Sequence, residues 1–474
     1  MTTTRSADVL ENALDAVARA ARPTARSTAA TRAGWLRHIA DSLDRAGAEL
    51  ITIARAETHL TDVRLVNELR RTTFQARLFD DRLSTGSFSS VFIDPADADW
   101  PMGARPHLRR TFIPIGPVLV FTASNFPFAF GVAGGDMVSA LTAGCPVLIK
   151  AHPGHPDLSR AIYRVVKDAL ADAGAPDGVF GMIEGEDNGR AAVLDSRIRA
   201  VGFTGSTSGG RALFDLAMSR PDPIPFYAEM GSTNPVVITP RSWATRRADI
   251  ATGFAASLTA SAGQMCTKPG VVFLPDVQGF LDQLPSLSAA PMLNDHILDG
   301  FHRTTSKMAT QADIALGELS ARDAAPILFR TTIAAVQSQP DLLDLEMFGP
   351  AALLVEYTHL DQVVDVIDQL PGQLTASVHG GDQPDLQEAE LVARLAEHAG
   401  RILWNDWPTG VSVTDAQQHG GPYPATTAPL STSVGTQSVW RFLRPVTFQN
   451  MPDEALPEGL RRNLNSPSSA QEHA

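Results

Sequence analysis

A chain of 474 residues is too long for one small core and predicts two or three domains. Its 44% hydrophobic and 19% charged residues describe a globular chain rather than a disordered one. A formal charge of −13 without a long basic run counts against nucleic acid as a partner, and two cysteines are too few for a disulfide framework. The N-terminal residues carry no apolar signal core and no apolar stretch is long enough for a bilayer, so a cytoplasmic location without a membrane partner is expected.

Helical spacing opens the chain, with Val9, Leu10, Leu14 and Val17 and then Trp35, Leu36, Ile39, Ala40 and Leu43 on common faces. From Ser84 to Arg110 the pattern loosens into Pro, Asp and Gly, as in a wandering connection or a protruding arm. Thr111 to Phe121 reads as strand interrupted by a turn. Strand and helix then alternate: a helix after Gly134-Gly135, a strand at Pro146–Lys150, a helix from Leu158 to Ala173 stopped by Gly174 and Pro176, strands at Val179–Ile183 and Arg199–Thr204, and a helix from Arg211 to Met218. This alternation predicts an α/β fold with a parallel sheet covered on both faces, which binds ligands outside the carboxyl ends of its strands.

Three motifs fall at such ends. Gly205-Ser-Thr-Ser-Gly-Gly210 joins a strand to a helix, where glycines allow close approach and free N–H groups suit a phosphate. Ordinary tight turns share that composition, and the spacing is not G-x-G-x-x-G. Gly263-Gln-Met-Cys-Thr-Lys-Pro-Gly270 sets a cysteine in a turn, as a thiolate nucleophile requires, whereas Cys145, before an apolar strand, reads as a small buried hydrophobe. Phe226-Tyr-Ala-Glu-Met-Gly-Ser-Thr-Asn-Pro235 brings Glu229 out of a strand, either as solvated surface or as a base for water. None of the three is decisive separately.

In order, Asn125-Phe-Pro, Lys150, Phe203-Thr-Gly-Ser-Thr, Glu229-Met-Gly, Gly263-Gln-x-Cys266 and Glu346-x-Phe-Gly-Pro350 resemble the aldehyde dehydrogenase superfamily from about Glu57 to about Pro445. Ala123-Ser-Asn-Phe-Pro127, Val132-Ala-Gly-Gly-Asp136, Lys150-Ala-His-Pro153, Ala228-Glu-Met-Gly231 and His419-Gly-Gly-Pro-Tyr-Pro-Ala-Thr426 are similar to the branch holding 2-oxoglutarate semialdehyde (2,5-dioxopentanoate) dehydrogenases and a bacterial NADP-dependent fatty aldehyde dehydrogenase. The resemblance implies that Cys266 is the nucleophile, that Asn125 and the Cys266 N–H hold the oxyanion, and that Glu229 activates water against a thioester. It implies a cofactor, NADP or NAD, contacted by Gly205, Ser206 and Gly210 at the pyrophosphate, Lys150 at the adenosine ribose, and Glu346 with Phe348 at the nicotinamide ribose. Pro153 stands where NAD-preferring relatives place a carboxylate, and His152, Lys150 and Arg190 offer positive charge, so NADP is expected alongside NAD. No metal is implied.

Some positions depart from the pattern. Ser232 and Thr233 replace Gly and Lys, Lys268 stands in place of Asn, and Trp404 and Asp406 replace Phe and Gly. The stretch from Trp404 to Val413 is expected at the substrate mouth, with Phe126, Lys268, Trp407 and Val413 as substrate residues. It offers no Arg or Lys for a substrate carboxylate, which leaves a long apolar aldehyde open beside the semialdehyde. A CoA-acylating enzyme and an inactive dinucleotide-binding homologue are the other readings; Glu229 favours water over CoA, and retention of Cys266, Glu229 and Asn125 together speaks against lost chemistry.

The resemblance also implies the aldehyde dehydrogenase fold: a Rossmann-like cofactor domain at 1–96 and 112–228, a catalytic domain at 229–420, a return segment at 421–440, an oligomerisation arm at 97–111 with 441–458, and a polar tail at 459–474. An arm with unpaired edges is costly to expose, so a homodimer or homotetramer is expected.

Overall fold

The computed structural model describes residues 2–88, 90–320, 323–408, 410–457 and 460–461. Apart from Leu460 and Arg461, the expected polar tail lies outside them.

Four helices open the chain: α1 (Thr2–Ala25), α2 (Ala29–Arg45), α3 (Gly47–Thr58) and α4 (Asp62–Ser84). Thr28 and Thr61 cap α2 and α4 by accepting from backbone N–H groups three residues on. The loosened stretch after Ser84 then builds β1 (Phe92–Asp94) and β2 (Leu108–Pro114). These pair antiparallel, and β15 (Leu443–Gln449) joins β2 on its other side. The interrupted strand is two strands. Gly116, at φ 120°, breaks β2 from β3 (Val118–Phe121), and a side chain there would strike Arg199.

Helix α5 (Gly135–Ala143), β4 (Val147–Lys150), α6 (Pro156–Asp172), β5 (Phe180–Ile183), α7 (Glu186–Leu194), β6 (Ala200–Thr204), α8 (Thr207–Met218) and β7 (Phe226–Glu229) follow. Their sheet is parallel, in the order β5-β4-β3-β6-β7. One apolar cluster lies against α2, α4, α5 and α6, and a second around α1, α7 and α8, so both faces are covered as the alternation predicts. Helix α8 begins four residues before the expected Arg211. Gly209 and Gly210 are poor helix formers, but Ser206 caps the helix, and a side chain on Gly210 would meet Met230 Sδ at 2.7 Å.

The remainder is a seven-stranded sheet: β8 (Pro235–Ile238), β9 (Val271–Leu274), β10 (Asp313–Leu316), β11 (Ile327–Thr332), β12 (Ala351–Glu356), β13 (Gln373–His379) and β14 (Ala399–Trp404), in the order β10-β11-β12-β9-β8-β13-β14. Only β10 runs antiparallel. Chain order reverses in the first sheet between β3 and β6, the switch point where such sheets open a crevice. Asn125 and Ser206 follow β3 and β6, Lys150 and Glu229 are the last residues of β4 and β7, and the segments leading into β9 and β12 carry Cys266 and Glu346.

Candidate active site

Cys266 sits on a strained turn. After α9 (Pro240–Thr259), Ser261, Ala262 and Gly263 take φ of 52°, 55° and 68°. Left-handed backbone costs a residue with a side chain about 1–3 kcal/mol and persists only where its surroundings hold it. Here they do: Gln264 receives the Leu293 N–H at 2.9 Å and donates to Ser261 O at 2.9 Å. Glycine is required at 263, because a Cβ there would lie 2.3 Å from the Gly349 carbonyl carbon. On the far side of the thiol, the Asn234 amide donates to the carbonyls of Cys266 (2.8 Å) and Lys268 (2.9 Å), fixing the turn from both ends.

The thiol faces an imidazole and a carboxyl. His419 Nε2 lies 3.5 Å from Cys266 Sγ and 3.5 Å from Glu229 Oε2. That oxygen is buried and forms no hydrogen bond, so the contact is a close approach rather than an ion pair. Burial is the largest influence on all three groups. Burial, then Glu229 and Glu346, push the Cys266 thiol up to about 12. Burial, aided by Asp136 and opposed by Arg441, raises Glu229 well above the usual carboxylate range. Burial with the charges of Arg401 and Arg71 holds His419 down to about 3. The Asn125 amide donates to Gln264 O at 3.0 Å, which spends one of its two N–H donors beside the cysteine. The Cys266 N–H favours the thiolate of its own side chain.

Gln373 on β13 holds the Glu229 segment. Its side-chain oxygen receives Ser232 Oγ at 2.8 Å and the N–H groups of Thr233 and Asn234 at 2.9 Å. The departures at Ser232 and Thr233 thus supply hydroxyls to a buried acceptor; Thr233 Oγ1 also reaches it, at 3.2 Å.

The other side of the thiol suits a dinucleotide. The exposed amino end of α8, capped by Ser206, lies beyond β6, with Gly205 donating its N–H to Glu229 O at 3.1 Å. A cavity of about 350 Å³ is lined by Lys150, His152, Pro153, Glu184 and Glu186, among others. Glu346 rests over Gly231, where a Cβ would come within 2.0 Å of its carboxylate; burial pushes Glu346 up to about 7 against the pull of Lys268. Phe348 is half-buried in the same segment. The donor-rich helix end and the cavity fit a nicotinamide dinucleotide. His152 is not a cation there: burial, then His155, Lys150 and His296, hold it down to about 3, and its Nδ1 accepts the Gly154 N–H at 2.9 Å. Arg190 is exposed on α7 and is not part of the cavity lining.

A family model described as "Aldehyde dehydrogenase family" matches residues 2–423. The chain belongs to that family. Two curated relatives are the alpha-ketoglutaric semialdehyde dehydrogenase 2 of Azospirillum brasilense, 44% identical over 92% of this chain and 85% of the relative, and the alpha-ketoglutaric semialdehyde dehydrogenase of Acinetobacter baylyi, 39% identical over 96% and 89%. Among solved structures, the fold matches Bradyrhizobium japonicum proline utilization A with a TM-score of 0.78 at 22% identity; the match covers 93% of this chain and 45% of that longer one. As an aldehyde dehydrogenase the chain is an oxidoreductase that works with NAD(P). No helix among the described residues is long and apolar enough to cross a membrane.

The substrate side of this aldehyde dehydrogenase differs from the sequence expectation at several points. Lys268 is buried and its ammonium donates to Ala351 O, so it ties the cysteine turn to β12 instead of facing a substrate. Burial lowers it to about 8 while Glu346 opposes. Trp407 packs in the core, its ring 5.4 Å from Phe254 and 4.6 Å from His379. Trp404 lies over Gly380, and the Asp406 side chain accepts the Trp407 N–H at 2.8 Å. Large aromatics in this stretch fill the sheet rather than line a mouth. Val413 is buried, and Phe126 lies under the Arg64 guanidinium at 4.4 Å. Among its residues, Gly410 approaches Met265 and Val411 meets Arg71. His419 belonged to a quoted motif but carried no role there, and Gln373 gave no sequence signal.

Proposed function

We propose that this enzyme oxidises 2-oxoglutarate semialdehyde (2,5-dioxopentanoate) to 2-oxoglutarate. The observation that carries the chemistry is the approach of Cys266, His419 and Glu229 beside the Asn125 amide. The substrate rests on the names of the two curated relatives.

Cys266 Sγ, oriented by the neutral His419 nitrogen, adds to the aldehyde carbon while its proton passes by way of Glu229 to solvent. The thiohemiacetal oxygen takes hydrogen bonds from the Asn125 amide and the Cys266 N–H; donors of this kind lower a barrier by roughly 3–4 kcal/mol. NAD(P), when bound, accepts the hydride. Gly205, Ser206 and Gly210 would hold its pyrophosphate, Lys150 its adenosine ribose, and Glu346 with Phe348 its nicotinamide ribose. A thioester remains on Cys266. Glu229 then takes a proton from water, the hydroxide oxygen bonds to the acyl carbon, and the sulfur leaves. Burial raises its pKa, which makes it a stronger base toward water than an exposed carboxylate.

In this reading the five-stranded sheet with α1–α4 forms the cofactor unit and the seven-stranded sheet the catalytic one. The β1-β2-β15 arm supports a homo-oligomer, because Phe92, Ile93 and Met102 are exposed on or beside it. Two free cysteines suit a reducing cytoplasm. The test is a panel of 2-oxoglutarate semialdehyde, succinate semialdehyde and decanal, ranked by kcat/KM with each cofactor. A lead for decanal would overturn the substrate, and acyl-CoA formation in place of free acid would overturn hydrolysis.

A further inference from the structure

The acidic and basic groups around Cys266 are segregated. Glu229 and Glu346 lie toward the α8 end, and both act on the thiol as negative charges. Arg71 from α4 and Arg401 from β14 act on it as positive charges, and both also act on His419. Each arginine is largely withdrawn from water, and burying a guanidinium without a counter-ion is costly. Neighbouring Arg64 has one, since its Nη1 donates to the buried Glu68. Arg71 and Arg401 form no ion pair among the described residues; Glu68 acts on Arg71 and Asp406 on Arg401 without a salt-bridge contact. Arg71 Nη1 and Arg401 Nη2 are buried donors without an acceptor.

Their placement surrounds the reaction centre. The Arg71 guanidinium lies 5.7 Å from the Phe130 ring, which stands edge-on to His419 at 6.2 Å, and its Nε donates to Val411 O at 3.4 Å. Arg401 follows Gly400, which packs against Gly420 beside His419. One guanidinium thus comes from an N-terminal helix and the other from the far edge of the second sheet.

We infer that Arg71 and Arg401 form the anion subsite that receives the distal carboxylate of the substrate, so that this enzyme selects short ω-oxo acids over uncharged aldehydes. The inference deepens the proposed substrate and rests on it. The free Nη donors match a carboxylate, and the fork geometry of guanidinium suits it better than ammonium does. The basic residues absent from the Trp404–Val413 stretch are supplied by elements far away in sequence.

The experiment compares kcat/KM for 2-oxoglutarate semialdehyde with that for pentanal in the full enzyme and in Arg71→Gln, Arg401→Gln, Arg71→Lys and Arg401→Lys. Each Gln variant should lower the ratio of the two at least 30-fold, mainly through KM, with the Lys variants between it and wild type. The dead-end dicarboxylate glutarate should likewise bind the Gln variants at least tenfold more weakly by calorimetry, a readout independent of turnover. A wild type that does not favour the charged aldehyde would defeat the proposed substrate itself. A wild type that does favour it, with a ratio unchanged in all four variants, would defeat the arginine subsite alone. Equal loss on both aldehydes with unchanged glutarate affinity would also overturn it, as the mark of a structural role.

Discussion

His419 Nε2 stands 3.5 Å from Cys266 Sγ while both groups are neutral, so the imidazole is placed to accept a hydrogen bond from the thiol and orient it for attack. An imidazole held down to about 3 positions that thiol without taking its proton. His419→Asn should therefore lower kcat/KM for the aldehyde by roughly 100-fold, about what a 1 Å misplacement of a reacting group costs. Unchanged steady-state kinetics in a variant that melts like wild type would rule this role out.

The same thiol is held up by two carboxyl groups. Replacing Glu346 with Gln removes one of the two negative charges acting on the thiol. The change favours the thiolate. Cys266 should then react with iodoacetamide roughly tenfold faster at pH 7, since one unit of pKa is a tenfold change in thiolate fraction. A rate equal to or below wild type would show that Glu346 does not act on the thiol.

Glu229 predicts the acid limb. Its deprotonated form takes the proton from water, and its pKa is raised by burial, so the active fraction falls as pH drops through a value above the ordinary carboxylate range. Deacylation should weaken on the acid side already above pH 4.5, in a range where an exposed glutamate would still be mostly charged. In Glu229→Gln this limb should vanish, and each site should release one NADH in a burst before stalling as the thioester. Continued turnover without a burst, measured by stopped-flow absorbance, would move the base elsewhere.

Much of this was legible in the sequence because it lies in short local patterns. The alternation from Thr111 to Met218 fixed a parallel sheet, and the ordered motifs around Asn125, Glu229, Cys266 and Glu346 converge where its strands end. What escaped depends on pairing across distance. Gln373 is joined to Ser232 across 141 positions, and Arg71 reaches the loop at Val411 across 340. Local chemistry misled where a residue could satisfy itself inside. Lys268 found a backbone carbonyl and Trp407 an aromatic core, so neither is free for the substrate.

Cofactor choice turns on the same distinction. Pro153 leaves no acid at the position expected to repel a 2′-phosphate, and from sequence His152 reads as a cation that would welcome one. In the fold, His152 is neutral, Glu184 and Glu186 stand in the cavity wall, and Glu186 acts on Lys150 strongly enough to oppose its burial. Glu184 is already paired with Arg160 at 2.7 Å, which leaves Glu186 as the acid without a guanidinium partner. A carboxylate beside a phosphate costs about 1 kcal/mol or more per charge at close range even in water, whereas a ribose hydroxyl can donate to it. NAD should therefore be preferred, with NADP turned over more slowly. Glu186→Gln should raise kcat/KM for NADP roughly tenfold, equivalent to ~1.4 kcal/mol, while changing the NAD value little. Steady-state kinetics with both cofactors decide the matter: a wild type that already favours NADP, or a Gln variant whose NADP value does not rise, would remove Glu186 from cofactor selection.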